Sequence, residues 1–258
     1  MDQQIKKTAL NAARLAGQML KKEYEKFDRQ QVMLKSQHEI LTKADLMSQE
    51  IIIKEIKKDF PAHGIVSEEK AEEKIYGEYC WYLDPIDGTT NFSMHNPLWS
   101  ISIALAKNDE LIFSLIYAPM LEELFSAQAG QGAELNGKPI HVSNISQGKV
   151  LNTFCHGRRN ADIRRALAYF RKQKLNELDC RQMGSAALEL AYVAAGRVES
   201  FVAPGTHDWD VAAGALLVRE AGGKVTDFTG HNWRLGNPNI AASNGKVHGQ
   251  ILKAIGKR

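Results

Sequence analysis

What this chain lacks narrows it first. Its three cysteines, Cys80, Cys155 and Cys180, lie far apart in 258 residues and form no CxxC pair. That excludes a disulfide framework and a zinc knuckle, and it predicts reduced thiols in a cytoplasmic protein. No stretch approaches the roughly 18 uninterrupted apolar residues of a membrane span. The opening MDQQIKKTALNAARLAGQML holds neither a long apolar run nor a cleavage-like site after one, so no secretory signal is read there. Neither sign of charge dominates: 33 basic residues stand against 30 acidic ones, a net charge of +3 with the signs interspersed. Nothing in that balance supports nucleic-acid binding, although a weak basic excess is compatible with an anionic substrate. Also missing are the GxxxxGK[ST] loop of P-loop nucleotidases, a GxGxxG after the first strand, HExxH and GxSxG. There is no internal repeat and no low-complexity segment.

What is there reads as an ordinary globular chain, 44% hydrophobic and 24% charged, long enough for one large domain or two closely packed ones. Residues 3–27 carry Ile5, Ala9, Ala12, Ala16, Met19 and Leu20 as a helical stripe. Thr42 can cap a second helix, which Pro61 stops. GIVSEE (64–69) is a short strand ending in two glutamates, and 70–78 reads as a charged surface loop. From residue 100 the period changes to two. SISIALA and LIFSLIYAP flank an Asn108-Asp109 turn, and Asn136-Gly137 marks another tight turn. Helices on a largely antiparallel sheet are therefore expected over 1–145. Over 146–258 strands and helices alternate, which suggests a second sheet with helices packed on it, the two halves forming one compact unit. Ser, Asn, Gln and Gly cluster near 141–149, where a linker would lie.

The chemistry gathers at element ends. WYLDPIDGTTNF (81–92) sets Asp84 and Asp87 around a proline, at the end of a run that reads as buried strand. A carboxylate there is costly unless something positive meets it. Glu68 and Glu69 end one strand, and Asp208 and Asp210 lie between a strand and a helix. Each acid also has a plain structural reading. Asp87 could cap a helix starting near Thr89, Asp210 could cap its own helix, Glu68 could be solvated, and Trp209 could be a core aromatic. Against that, Pro85 holds the two aspartates in a fixed relation. Hard divalent cations are the usual reason for carboxylates to converge, and Gly88-Thr89-Thr90 can offer backbone N–H groups to an anion. Cations beside an anion cradle point to phosphoryl chemistry.

Asp45, Glu68-Glu69, Asp84-Pro85-Ile86-Asp87-Gly88-Thr89 and Trp209-Asp210-Val211-Ala212-Ala213, in that order, resemble the signature of the lithium-sensitive, magnesium-dependent inositol monophosphatase family, within the fructose-1,6-bisphosphatase-like sugar phosphatases. The resemblance runs through nearly the whole chain and is nearest to the bacterial branch. It implies an α+β or α/β fold of alternating layers, an αβαβα sandwich. It implies a Mg²⁺-dependent phosphomonoesterase of the inositol-phosphate type, and a homodimer. Glu68, Asp84 and the Ile86 carbonyl would hold one Mg²⁺. Asp84, Asp87 and Asp210 would hold a second, and a weaker third would sit near Glu68. Thr89, Glu68 and Asp45 would orient the attacking water, and the Gly88 and Thr89 amides would bind phosphate. Bacterial relatives also suggest a partner role with the transcription machinery.

For the substrate, the resemblance points to Gly184, Ser185 and Ala186 and to an acid seven residues before Asp210. Ala203 stands there instead, while Asp208 is an extra acid closer in. Inositol 1-phosphate or a similar polyol phosphate is the expected substrate. Fructose 1,6-bisphosphate, histidinol phosphate, NADP and 3′-phosphoadenosine 5′-phosphate are the alternatives. Arg158 and Arg159 are expected at the surface, no aromatic or arginine stacking surface is expected near the cradle, and Lys35 is expected to be solvated.

Overall fold

The computed structural model describes residues 2–28, 33–36, 39–69 and 77–256. Helix α1 (Asp2–Lys26) is followed by a hairpin of β1 (Met33–Ser36) and β2 (Glu39–Leu41), then α2 (Lys43–Asp59) and β3 (Gly64–Ser67). Next come β4 (Tyr79–Asp87), α3 (Thr89–Ser93), β5 (Ser100–Lys107), β6 (Glu110–Ala118), β7 (Glu123–Gln128), β8 (Gly132–Leu135) and β9 (Lys138–Ile140). The second half holds β10 (Leu151–Phe154), α4 (Asn160–Leu175), β11 (Asp179–Arg181), α5 (Ala186–Ala194), β12 (Ser200–Pro204), α6 (Asp208–Glu220), β13 (Lys224–Thr226), β14 (Asn239–Ser243) and α7 (His248–Ile255). The charged segment read as a loop lies outside the described residues as far as residue 76. Lys35 falls on β1, and its side chain also lies outside them.

β3 to β9 form a seven-stranded sheet in sequence order, antiparallel throughout except for the β3–β4 pair. Period-two patterning splits its two faces. Trp81, Leu83, Ile101, Ile103, Leu105, Phe113 and Leu115 meet the α1 stripe (Ile5, Ala9, Ala16, Leu20) and Ile52 and Ile56 of α2. Tyr82, Ala104, Ala106, Ile116 and Phe125 face the other way, toward α5 and α6. Those two helices can approach closely because their contact residues are small. A Cβ on Gly214 would stand 2.4 Å from Leu190 Cβ.

The second sheet has the order β11-β10-β12-β14-β13 and mixes parallel and antiparallel pairs. One face shares the core of α5 and α6 through Phe201, Ala203 and Ile240. The other packs Phe154, Val202 and Ala241 against Tyr169 of α4 and Ile251 of α7. The layers therefore run α1/α2, sheet, α5/α6, sheet, α4/α7, which is the expected αβαβα order. Residues 141–150 carry no helix or strand and join the two sheets. Among the described residues, no helix is long and apolar enough to cross a membrane.

Candidate active site

The opening motif sits where β4 leaves the first sheet. Asp84 pairs with Ser102 and Asp87 with Ser100, so β4 carries one residue more than β5 between those two points. A bulge of this kind suits Pro85, which has no N–H to give to a ladder. It also changes where the acids point. On a regular strand, residues three apart face opposite sides; the extra residue lets Asp84 and Asp87 serve one cluster. Ser48 of α2 donates to the Pro85 carbonyl at 3.0 Å, and the Ile86 N–H donates to Asp84 Oδ1 at 3.1 Å. The chain then turns through Gly88, whose φ of +97° few other residues adopt. A Cβ there would also meet the Gly184 and Leu98 carbonyls at 3.1 and 3.2 Å.

Three further element ends converge here. Glu68 follows β3, and its N–H donates to the Leu83 carbonyl of β4. Asp45 lies in the first turn of α2, where its Oδ2 accepts from the N–H and hydroxyl of the cap residue Thr42 at 2.7 and 2.6 Å. Its Oδ1 lies 3.2 Å from Thr89 Oγ1, which is also 3.0 Å from the Ile86 carbonyl. The Thr89 hydroxyl has a single proton to share between the two. Asp210 lies in the first turn of α6 and accepts from the His207 N–H at 2.7 Å, so its capping role is real. Asp87 does not cap the helix beginning at Thr89, because Gly88 is the cap residue there. It caps α5 instead: it accepts from Ser185 Oγ at short range and from the Ala186 and Ala187 N–H groups at 3.1 and 2.8 Å.

The cluster is electrostatically costly as it stands. Asp45, Asp84 and Asp87 are buried. Burial pushes Asp45 up to about 6 and Asp87 up to about 7. The hydrogen bonds to Thr42, and those to Ser185 and the α5 amides, offset part of each rise. Asp84 is held well above the usual carboxylate range by burial, then by the charges of Glu68, Asp87, Asp210 and Asp45. Among the described residues, Arg158 is the one arginine or lysine in an ion pair with any of these acids, at 3.1 Å from Glu68 Oε1. No three acidic, histidine or cysteine side chains among the described residues are drawn together tightly enough to enclose an ion. The donor chemistry nevertheless suits a hard divalent ion. It offers buried carboxylate oxygens, in a number that leaves positions for water and phosphate.

Beside the acids opens a cavity of ≈ 520 Å³ lined by Val66, Arg158, Gly205, His207, Asp208 and Trp209 among others. Small-molecule sites commonly fall in the range of about 300–1,000 Å³. His207 and Trp209 are stacked, with ring centroids 4.5 Å apart and planes 5° apart. A stacked aromatic pair and an arginine thus line this cavity, which does not include Gly88 or Thr89, and Arg158, expected at the surface, is tied to Glu68. Arg159 is exposed and pairs with Asp162. Asp208 accepts from the Gly236 N–H at 2.7 Å and borders the cavity. Ser185 and Ala186 face Asp87 instead, and the Gly184 N–H donates to Glu189. Ala203 is fully buried within β12.

Two residues of the site were missed in the sequence, Glu189 because it went unremarked and Arg158 because it was expected at the surface. Glu189, fully buried in α5, accepts from the Met183 and Gly184 N–H groups at 3.0 and 3.1 Å, and so fixes the turn that presents α5 to Asp87. Burial raises its carboxyl to about 8. An acid inside the apolar run AALELAYVAA was the available signal. Arg158 had none, since its partner lies 90 residues away.

Comparison with known proteins agrees with this fold. The model of the inositol monophosphatase family matches residues 1–258. The chain is 41% identical over 243 residues to the Nus factor SuhB of Escherichia coli K12, covering 93% of this chain and 91% of that one. It is 35% identical over 260 residues to an inositol-1-monophosphatase of Mesorhizobium japonicum, covering 96% and 94%. The crystal structure of the extragenic suppressor protein SuhB of Bartonella henselae superposes with a TM-score of 0.90 at 35% identity, covering 98% of each chain.

Proposed function

The chain belongs to the inositol monophosphatase family, and from that premise we propose that it hydrolyses inositol 1-phosphate or a similar small polyol or sugar phosphate with the help of Mg²⁺. The observation that carries this reading is the buried Asp84, crowded by four other carboxylates from separate element ends. A fold under selection for stability alone would not keep that arrangement. Glu68, Asp84 and the Ile86 carbonyl would hold one ion, and Asp84, Asp87 and Asp210 a second, with a third near Glu68. When bound, the ions would neutralise phosphoryl oxygens and make a water more acidic.

The chain's own residues would then do the following. The Gly88 and Thr89 amides receive the phosphate. Thr89 Oγ1 accepts a proton from the attacking water while passing its own to Asp45 Oδ1. Asp45, raised to about 6, takes that proton at neutral pH more readily than an ordinary aspartate would. Glu68 helps to orient the same water. Asp208 borders the substrate side, and the turn at Gly184, Ser185 and Ala186 acts through its bonds to Glu189 and Asp87. Fructose 1,6-bisphosphate, histidinol phosphate, NADP and 3′-phosphoadenosine 5′-phosphate are rivals within the same chemistry, and a homodimer is part of the reading. The test is phosphate release from a panel of these esters with Mg²⁺. Release from none of them sinks the proposal.

A second reading, as a partner of the transcription machinery, is favoured by the relatives named Nus factor SuhB. Capture of transcription proteins that survives Asp84→Asn supports such a role independently of catalysis; no capture by either form counts against it.

A further inference from the structure

The Glu68–Arg158 pair joins the acid cluster to the cavity. Glu68 follows β3 of the first sheet, while Arg158 follows β10 of the second. The guanidinium lies 3.1 Å from Glu68 Oε1, and the two side chains are 38% and 16% exposed for Arg158 and Glu68 respectively. The charge of the Asp210 carboxylate also acts on the same guanidinium. Arg158 also lines the cavity, together with Gly205, Thr206, His207 and Trp209. It therefore occupies the boundary between the acids and the space that the rest of a phosphate ester would fill.

We propose that Arg158 is a stand-in cation for Glu68, which a divalent ion displaces, and that the displaced guanidinium selects, among the esters named above, those bearing a second anionic group, so that fructose 1,6-bisphosphate is favoured over inositol 1-phosphate. This rests on reading Glu68 as an ion ligand. Arg158 and an ion cannot both hold Glu68 Oε1 without bringing two positive charges together. Since the side chain already borders the cavity, turning away from Glu68 turns it further into that space. An arginine there meets a carboxylate or phosphate with two parallel hydrogen bonds, which a neutral hydroxyl cannot match. An acid cluster that loses the Arg158 charge also attracts a divalent ion more strongly.

The experiment uses Arg158→Gln and Arg158→Lys in the full chain, with folding checked by thermal unfolding. Mg²⁺ binding is measured by titration calorimetry without substrate. KM is then compared for fructose 1,6-bisphosphate and for glycerol 2-phosphate, an ester without a second anion. Arg158→Gln is expected to tighten Mg²⁺ binding about tenfold and to raise the KM ratio of bisphosphate to glycerol phosphate about tenfold. Arg158→Lys, which keeps the charge and loses the planar fork, should return Mg²⁺ binding close to that of the unsubstituted protein and recover only part of the KM ratio. Unchanged or weaker Mg²⁺ binding by Arg158→Gln, or equal changes in the two KM values, overturns the proposal. Failure of the unsubstituted protein to bind Mg²⁺ or to cleave either ester is a different result, and it overturns the reading of the site itself.

Discussion

Replacing Asp45 by asparagine should make the metal-free protein more stable while lowering its activity. The sign follows from the carboxyl's surroundings. Burial, with the Glu69 charge adding to it, outweighs the bonds from Thr42 and Thr89 and lifts Asp45 from an ordinary value near 3.8 to about 6. An acid raised in the fold costs nothing below its unfolded value and destabilises increasingly as pH rises through the folded one. Above pH 7 the full difference applies, about 3 kcal/mol at 1.36 kcal/mol per pH unit. Asparagine can keep the geometry. Its carbonyl accepts from the Thr42 N–H and hydroxyl in place of Oδ2. Its amide donates to Thr89 Oγ1, which then donates to the Ile86 carbonyl already 3.0 Å away. Weaker neutral hydrogen bonds return about 1 kcal/mol of the gain. A net stabilisation of about 1–2 kcal/mol is expected at pH 7.5, most of it gone at pH 4. The measurement is urea unfolding in chelator at both pH values, beside phosphatase turnover. Turnover should fall because residue 45 can no longer receive the Thr89 proton. Lower stability of Asp45→Asn at pH 7.5, or a gap that ignores pH, refutes the reasoning.

Other outcomes follow from the same geometry. Asp84→Asn should reduce turnover at least about 100-fold, because the residue would serve both ions; retained activity contradicts the two-ion assignment. Gly88→Ala should cost about 1–3 kcal/mol in chemical denaturation, from its left-handed backbone and the carbonyls 3.1 and 3.2 Å from the new Cβ, and an unchanged midpoint would show that the turn relaxes freely. His248 is buried between Thr226 and Ser243 and held neutral, with its pKa lowered to about 4. Its contribution is full above pH 6.5 and is lost as pH falls toward 4. That loss is at most about 3 kcal/mol and nearer 2 after screening, and His248→Gln should flatten stability over that window. Lithium should inhibit at millimolar concentration if the family's ion site is retained; insensitivity weakens the assignment of subtype and leaves the phosphatase class standing.

Much of the fold was legible because local chemistry specified it. Thr42 is the N-cap residue of α2 as expected, although the bonds there run to Asp45, which accepts from the Thr42 N–H and hydroxyl. Asn108, Asp109, Asn136 and Gly137 all take the positive φ that tight hairpins demand. What stayed hidden was set from a distance or was too short to leave a pattern. The three-residue strand Asp179–Arg181 cannot show alternation. The paired strands Met33–Ser36 and Glu39–Leu41 are four and three residues long, too short for an apolar run to betray them. Glu189 and Arg158 take their meaning from backbone or side chains brought up by folding.

Asp87 shows why a site of this kind resists reading from sequence even when its motif is plain. The motif shows an acid three residues after another, which invites a choice between capping and ion binding. The fold makes that choice false. Asp87 gathers the N-terminus of α5, whose partial positive charge steadies the carboxylate, and yet burial and Asp210 still leave it raised to about 7. The helix therefore compensates only part of the charge, and the remainder is available to a cation. Because Glu189 fixes the turn before α5 from the inside, the helix cannot swing away to relieve the strain. Changing Glu189 should therefore act on ion affinity through Asp87, although no atom of Glu189 is placed among the ion's ligands. Glu189→Gln, measured by Mg²⁺ calorimetry, should weaken binding several-fold. An unchanged affinity would show that Asp87 is positioned by β4 alone.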